Sequence, residues 1–204
     1  MIVIVNYGSG NIRAITNIYG RLNVPFRIAH QPGDMAGAEK ILLPGVGAFD
    51  QAMGQLENAG FRPVLDDLVT KQGLPVLGIC VGMQILAESS EEGVRPGLGW
   101  IAGRVRRFNV AALPFATQLP HMGWNDVKPV VQDKFFAGLE SNARFYFLHS
   151  YYFECEQAGS IMATTDYGGD FACAVHDRNI YGVQFHPEKS HRWGVQLLKN
   201  FAEL

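Results

Sequence analysis

Apolar positions follow two rhythms along this chain. In the first half, the short apolar runs Ile2–Val5, Phe26–Ala29, Lys40–Leu43 and Pro75–Ile79 each lead towards a glycine-bearing turn. Between them, apolar residues recur at helical spacing. Residues 11–22 read as a helix, and so do 61–71, where Phe61, Val64, Leu65 and Leu68 fall at i, i+3, i+4 and i+7. Another helix is expected to open over Met83–Glu88. Short strands alternating with helices predict βαβ units, a parallel central sheet and helices on both of its faces.

The second half reads differently. Ile101–Phe108, Arg144–Phe153, Ile161–Thr165, Ala172–His176 and Ile180–Gln184 are strand-like, with few helical periods between them. That pattern predicts an antiparallel or mixed extension of the sheet. A closing helix from about 191 to 202 places Trp193, Leu197, Leu198 and Phe201 on one stripe. The fold class is therefore α/β, an open and mostly parallel sheet, and 1–204 is expected to be one domain.

Composition narrows the functional classes. With 48% hydrophobic and 18% charged residues the chain can fill a core and is not a disordered segment. A net charge of −2 leaves no surplus cations for a phosphate backbone, so nucleic-acid binding is disfavoured. The longest uncharged stretch, 108–125, carries Asn, Thr, Gln, His and two prolines, so no membrane span is expected. The initial Met-Ile-Val-Ile-Val is too short for a secretory core. Cys80, Cys155 and Cys173 are odd in number and lack a CxxC pair, which suits a reducing cytoplasm.

The sharpest chemical signal is Gly78-Ile79-Cys80-Val81-Gly82 at the end of an apolar strand. A nucleophile on a tight strand-to-helix turn needs small neighbours, and a helix N-terminus behind it favours negative charge on the sulfur. A thiol nucleophile needs a base, and the base needs an orienting group. His186-Pro187-Glu188, after the strand ending at Gln184, supplies both. A zinc site at His186, Glu188 and His191 is a weaker alternative, because Pro187 disrupts helical presentation of ligands. Acyl chemistry also needs donors for an oxyanion. The Val81 amide is one candidate, and the Gly-rich turn Pro44-Gly45-Val46-Gly47-Ala48 offers a second. Neither this turn nor Asn6-Tyr7-Gly8-Ser9-Gly10-Asn11 has dinucleotide or P-loop spacing.

Gly78 to Gln84 together with His186-Pro187-Glu188 resembles the triad-type (class I) glutamine amidotransferases. Asn6 to Asn11, Pro44 to Phe49, Gly97-Leu98-Gly99-Trp100, Pro120-His121-Met122-Gly123-Trp124-Asn125 and Phe145 to Tyr151 narrow the resemblance. They look like the glutaminase subunits of imidazole glycerol phosphate synthase, the HisH family. The resemblance covers essentially the whole chain, and Pro-His-Met-Gly-Trp-Asn is its most specific piece.

What it implies is a Cys80–His186–Glu188 triad acting on L-glutamine through a γ-glutamyl thioester. Val81 and Gly47 would form the oxyanion hole, and Gln84, Ser150 and Tyr151 would hold substrate. It implies no cofactor and no metal. It also implies a heterodimer with a (β/α)₈ cyclase subunit (HisF-like) that receives the ammonia. Asn11, His121, Met122, Trp124, Asn125, Tyr146 and Lys189 match positions at or near that interface. A glutaminase serving another ammonia-using synthase, or a non-catalytic binding module of the same fold, are the alternatives.

Overall fold

The computed structural model describes residues 1–109, 111 and 119–204. Five runs form a parallel block: β1 (Ile2–Val5), β2 (Phe26–Ala29), β3 (Lys40–Gly45), β4 (Val76–Cys80) and, much later in sequence, β13 (Ile180–Val183). The short pairs β5 (Ser89–Ser90) and β8 (Lys128–Pro129) join the longer strands β6 (Gly103–Arg107), β7 (His121–Asp126), β9 (Arg144–His149), β10 (Tyr151–Cys155), β11 (Ile161–Asp166) and β12 (Asp170–Asp177). The main sheet runs β2-β1-β3-β4-β13-β12-β11-β8, its last three strands antiparallel. β1, β4 and β13 are buried at every position, as strands covered on both faces must be.

Two helix pairs provide that cover. α1 (Ile12–Arg21) buries Ile15 and Tyr19, spaced four apart, and the Tyr19 hydroxyl donates to the Leu198 carbonyl of α5 (His191–Glu203) at 3.3 Å. α5 turns in Leu197, Leu198 and Phe201, the stripe its spacing predicts. α2 (Phe49–Asn58) and α3 (Phe61–Asp66) form the second pair, with α3 running on through one π-type turn over Asp67–Lys71.

The α/β class and the antiparallel extension are as the pattern predicts, but several elements differ. α2 is a helix that the apolar pattern does not predict: its buried Phe49, Ala52, Met53 and Leu56 sit among three polar side chains and a glycine that dilute the apolar stripe. The helix expected over Met83–Glu88 is a single turn, α4 (Val81–Gln84), which ends where the chain turns towards β5. The run Arg144–Phe153 is two strands broken at Ser150. β9 pairs with β7, whereas β10 pairs with β6. The second half is therefore only partly an extension of the main sheet. β10-β6-β5 form a separate three-stranded sheet and β7-β9 a two-stranded ribbon.

The turn from β4 into α4 is set by a backbone contact. A Cβ placed on Gly82 would lie 1.8 Å from the Leu43 carbonyl oxygen of β3. That oxygen belongs to a strand hydrogen-bonded on both sides, so it has nowhere to go. Gly82→Ala is expected to cost at least about 2 kcal/mol of folding stability, read as a fall in the urea midpoint at unchanged slope. An unshifted midpoint would contradict the contact.

Candidate active site

Parallel strands present their carboxyl ends to one crevice, and ligands of open α/β sheets bind there. Here the neighbours are β4 and β13, in register at Ile79 and Val183. The residue after Ile79 is Cys80, and three residues beyond Val183 stands His186. Two distant stretches of chain thus reach one crevice by strand pairing alone.

Cys80 adopts φ +57°, ψ −114°. A non-glycine residue held at positive φ costs about 1–3 kcal/mol and persists only where its surroundings enforce it. The result is a sulfur turned out at the mouth of β4, the geometry expected of a nucleophile elbow. Because α4 is only one turn long, little helix stands behind the sulfur, and the expected helix-dipole effect has small support. What does act between the two residues is the imidazole facing the thiol.

His186 is fixed at both ends of its peptide. Its N–H donates to the Tyr146 carbonyl of β9 at 2.9 Å, and its carbonyl accepts from the Ser190 hydroxyl at 2.6 Å. Pro187 then starts a 3₁₀ turn over Pro187–Lys189 that brings Glu188 back alongside. Glu188 Oε1 lies 2.8 Å from His186 Nδ1, with both side chains almost wholly buried. Burial opposes charge on the imidazole, but hydrogen bonds and charge from Cys80 and Glu188 outweigh it and raise the His186 pKa to about 10. The proton therefore stays on His186 across the neutral range. Glu188 holds Nδ1–H, which turns the other ring nitrogen towards sulfur.

A cavity of about 290 Å³ opens over this pair, lined by Cys80, Val81, Gln84, His149, Ser150, Tyr151 and His186, together with Val46, Gly47 and Glu92. Its size suits a small metabolite. Most of the residues singled out in the sequence meet here: Cys80, His186, Val81, Gly47, Gln84, Ser150 and Tyr151. Glu188 stands directly behind His186. Gln84 turns both amide hydrogens inward, to the Tyr151 carbonyl and to Gln184 Oε1.

The class-I glutamine amidotransferase family matches residues 3–204. A protein of Bdellovibrio bacteriovorus named imidazole glycerol phosphate synthase subunit HisH is 60% identical, over the full length of both chains. One of the same name from Leptospira borgpetersenii is 52% identical, again over both full lengths. The chain is a class-I glutamine amidotransferase of the HisH family. Among solved structures, one described as a glutamine amidotransferase superposes with TM-score 0.75 at 20% identity over the whole of both chains. The glutaminase domain of a Trypanosoma brucei CTPS gives 0.66 at 17% identity, covering 99% of this chain and 93% of that one. At such identities these two speak for the shared fold.

The interface positions inferred for a HisH-family chain divide by face. β7 and β9 pair Met122 with Leu148 and Trp124 with Tyr146, and Met122, Trp124 and Leu148 are exposed. Lys189 reaches over the Tyr146 ring, and His191 stacks on Trp124 at 5.3 Å. His121 points the other way and is buried, with Asn125 hydrogen-bonded to it at 3.2 Å. On this ribbon the chain offers Met122 and Trp124 outward, while His121 faces in. Asn11 is exposed at the start of α1, on another segment. For the zinc alternative, His186 Nδ1 is engaged by Glu188 and the His191 ring by Trp124.

Three residues of this site went unassigned from sequence. Gln184 stands two residues before His186, so strand alternation alone would have put both on one face, and its Nε2 lies 3.8 Å from Cys80 Sγ. Glu92 joins the pocket from an irregular segment, accepting from the Phe49 amide at 2.8 Å, and nothing in its local sequence signals that. His149 lies within the Phe145–Tyr151 stretch, but only the β7–β9 pairing shows where it points.

The charge on His186 has a measurable consequence. Its folded pKa lies above its ordinary 6.5, so its contribution to stability is fully present below that value and is lost as pH rises through about 10. Glu188→Gln removes one of the two raising partners and leaves burial in place. The His186 titration followed by NMR should then drop by more than about one pH unit. An unchanged titration would mean that Glu188 does not hold the ring.

Proposed function

We propose that residues 1–204 form one glutaminase domain, which hydrolyses L-glutamine and delivers the ammonia to a cyclase subunit of imidazole glycerol phosphate synthase. The observation that carries this is the convergence of Cys80, His186 and Glu188 at one small pocket of a HisH-family chain. His186, already protonated in the neutral range, faces Sγ as the sulfur attacks the amide carbon of glutamine. The carbonyl oxygen becomes an oxyanion, held by the Val81 amide and by that of Gly47. When the C–N bond breaks, His186 gives its proton to the departing ammonia, leaving a γ-glutamyl thioester. Water, giving a proton to His186, then releases glutamate and frees Sγ beside the protonated imidazole.

The pocket's other groups suit the rest of the substrate. Gln84 has spent its hydrogens internally and keeps Oε1 as an acceptor. Glu92 offers a carboxylate for the α-ammonium group, and Ser150 and Tyr151 form the facing wall. Gly47 sits at φ +92°, a conformation that L-residues avoid. A re-orientation of this turn would bring or remove one oxyanion donor, worth about 10²–10³ in rate, which suits activation by a loaded partner.

The cyclase, a (β/α)₈ barrel in a heterodimer with this chain, is proposed to cover the face of Met122, Trp124, Tyr146 and Lys189. Exposed apolar side chains clustered on a stiff ribbon are what a partner surface needs, and Asn11 would join from α1. Among the described residues no helix is long and apolar enough to cross a membrane, consistent with assembly in the cytoplasm. His121 is better assigned to the interior than to direct contact.

Cys80→Ala tests the reading. The complex should lose glutamine-dependent synthesis, while synthesis from added ammonium persists because the cyclase performs that chemistry. Loss of both in an assembled complex would give Cys80 another role. Glutamine-dependent synthesis that survives the substitution would remove Cys80 from the reaction.

A further inference from the structure

A file of side chains leads inward from the nucleophile, and the reaction as described does not use most of it. Gln184, fully buried, faces Cys80 Sγ with Nε2 at 3.8 Å and accepts from Gln84 Nε2 at 3.0 Å. The second Gln84 amide hydrogen goes to the Tyr151 carbonyl at 3.3 Å. That same carbonyl lies 2.7 Å from His149 Nδ1, and His149 Nε2 lies 2.9 Å from His121 Nδ1. His121 Nε2 meets Asn125 Nδ2 at 3.2 Å, and Asn125 Nδ2 also donates to the Asp166 carbonyl at 2.8 Å.

Hydrogen-bond polarity along this file is forced from both ends. A carbonyl only accepts, so His149 Nδ1 must carry a hydrogen. Burial pushes the His149 pKa down to about 3, against the bond to Tyr151 and with the charges of His121 and His186 adding to the fall. His149 is thus neutral, and Nε2 keeps a lone pair that accepts from His121 Nδ1–H. Burial also lowers the His121 pKa to about 4, so its Nε2 in turn accepts from the Asn125 amide. His121 is clamped between Phe147 and Tyr167 at ring distances of 4.7 and 4.1 Å. An apolar ring would fill this site without the cost of burying polar atoms. A fully satisfied buried network instead selects one arrangement of its members.

We propose that His149, backed by His121, is a positioning residue of the glutaminase centre. As two neutral imidazoles in the Nδ1–H form, they fix the Tyr151 carbonyl, and through it the amides of Gln84 and Gln184 that face substrate and sulfur. The role rests on Cys80 being the glutamine nucleophile.

Two measurements on the full chain test it. Long-range ¹H–¹⁵N spectra of the histidine-labelled protein should show His149 and His121 neutral from pH 5 to pH 8, each with its hydrogen on Nδ1. An Nε2–H tautomer at His149, or a protonated ring in that range, overturns the proposal.

Steady-state glutamine hydrolysis is then measured with the cyclase present. His149→Phe keeps a ring but no donor and should lower kcat roughly tenfold, the scale of one buried hydrogen bond. His149→Asn places an amide where Nδ1 stood and should recover most of that loss. Wild-type kcat in folded His149→Phe, or equal losses in both variants, overturns the role. If His149→Phe does not fold, His121→Phe keeps the stacked ring, removes the donor to His149 and should lower kcat in the same direction; wild-type kcat there overturns the role too. A wild-type complex that fails to hydrolyse glutamine would sink the pocket's assigned chemistry instead, while the tautomers still decide the hydrogen-bond file.

Discussion

Everything at this site depends on one contact between two backbones. Strand β4 can turn at Cys80 only because Gly82 presses against the Leu43 carbonyl with no side chain between them. The contact holds Cys80 at positive φ, and the turn aims its sulfur at the crevice between β4 and β13. Neighbouring parallel strands stand about 4.8 Å apart, so the crevice brings the ends of two strands within side-chain reach. A residue three positions past the end of β13 then comes opposite the thiol, where the Tyr146 carbonyl and the Ser190 hydroxyl hold its backbone. The backbone strain at Cys80 is of the order of one hydrogen bond, and it is outweighed by a sheet paired on both sides of the turn.

Electrostatics at the pocket separates three imidazoles of one sequence by their surroundings. His186, His149 and His121 are all buried, and burial alone would make each neutral. His186 departs from this because a thiol and a carboxylate face it, so it carries a proton up to about pH 10. His149 and His121 face carbonyl, amide and aromatic groups, and stay neutral well below pH 6. One ring can move a proton and the other two can only hold a direction. The difference comes from partners at hydrogen-bond distance, since depth of burial is similar for all three. Cys155 and Cys173 have no cationic partner to offset burial, which raises their thiol pKa values, that of Cys155 to about 12, with the Asp170 charge adding to the rise at Cys173.

Much of this was legible in the sequence where local patterns carry the information. The parallel block follows from β1 to β4, four apolar runs with helices after the first and the third, and the elbow follows from Gly-Ile-Cys-Val-Gly at the end of one of them. Elements decided by tertiary pairing were less legible. The aromatic-rich, strand-like run Arg144–Phe153 conceals a break at Ser150, because two strands in different sheets can lie end to end in one β-rich stretch. The ribbon strand β7 alternates a buried His121 with exposed Met122 and Trp124, which inverts the usual polar-out pattern and hides the strand. The pocket role of Glu92 comes from its bond to the Phe49 amide, 43 positions away, and no local spacing encodes that.

The central claim is a covalent step at one sulfur. The chain assembled with its cyclase, supplied with glutamine and quenched in acid within a turnover, should carry one γ-glutamyl group on the peptide containing Cys80, found by mass spectrometry. His186→Ala, treated the same way, should carry none. A wild-type complex that hydrolyses glutamine while the label sits elsewhere, or while a slowed turnover leaves Cys80 unmodified at every quench time, would contradict the account.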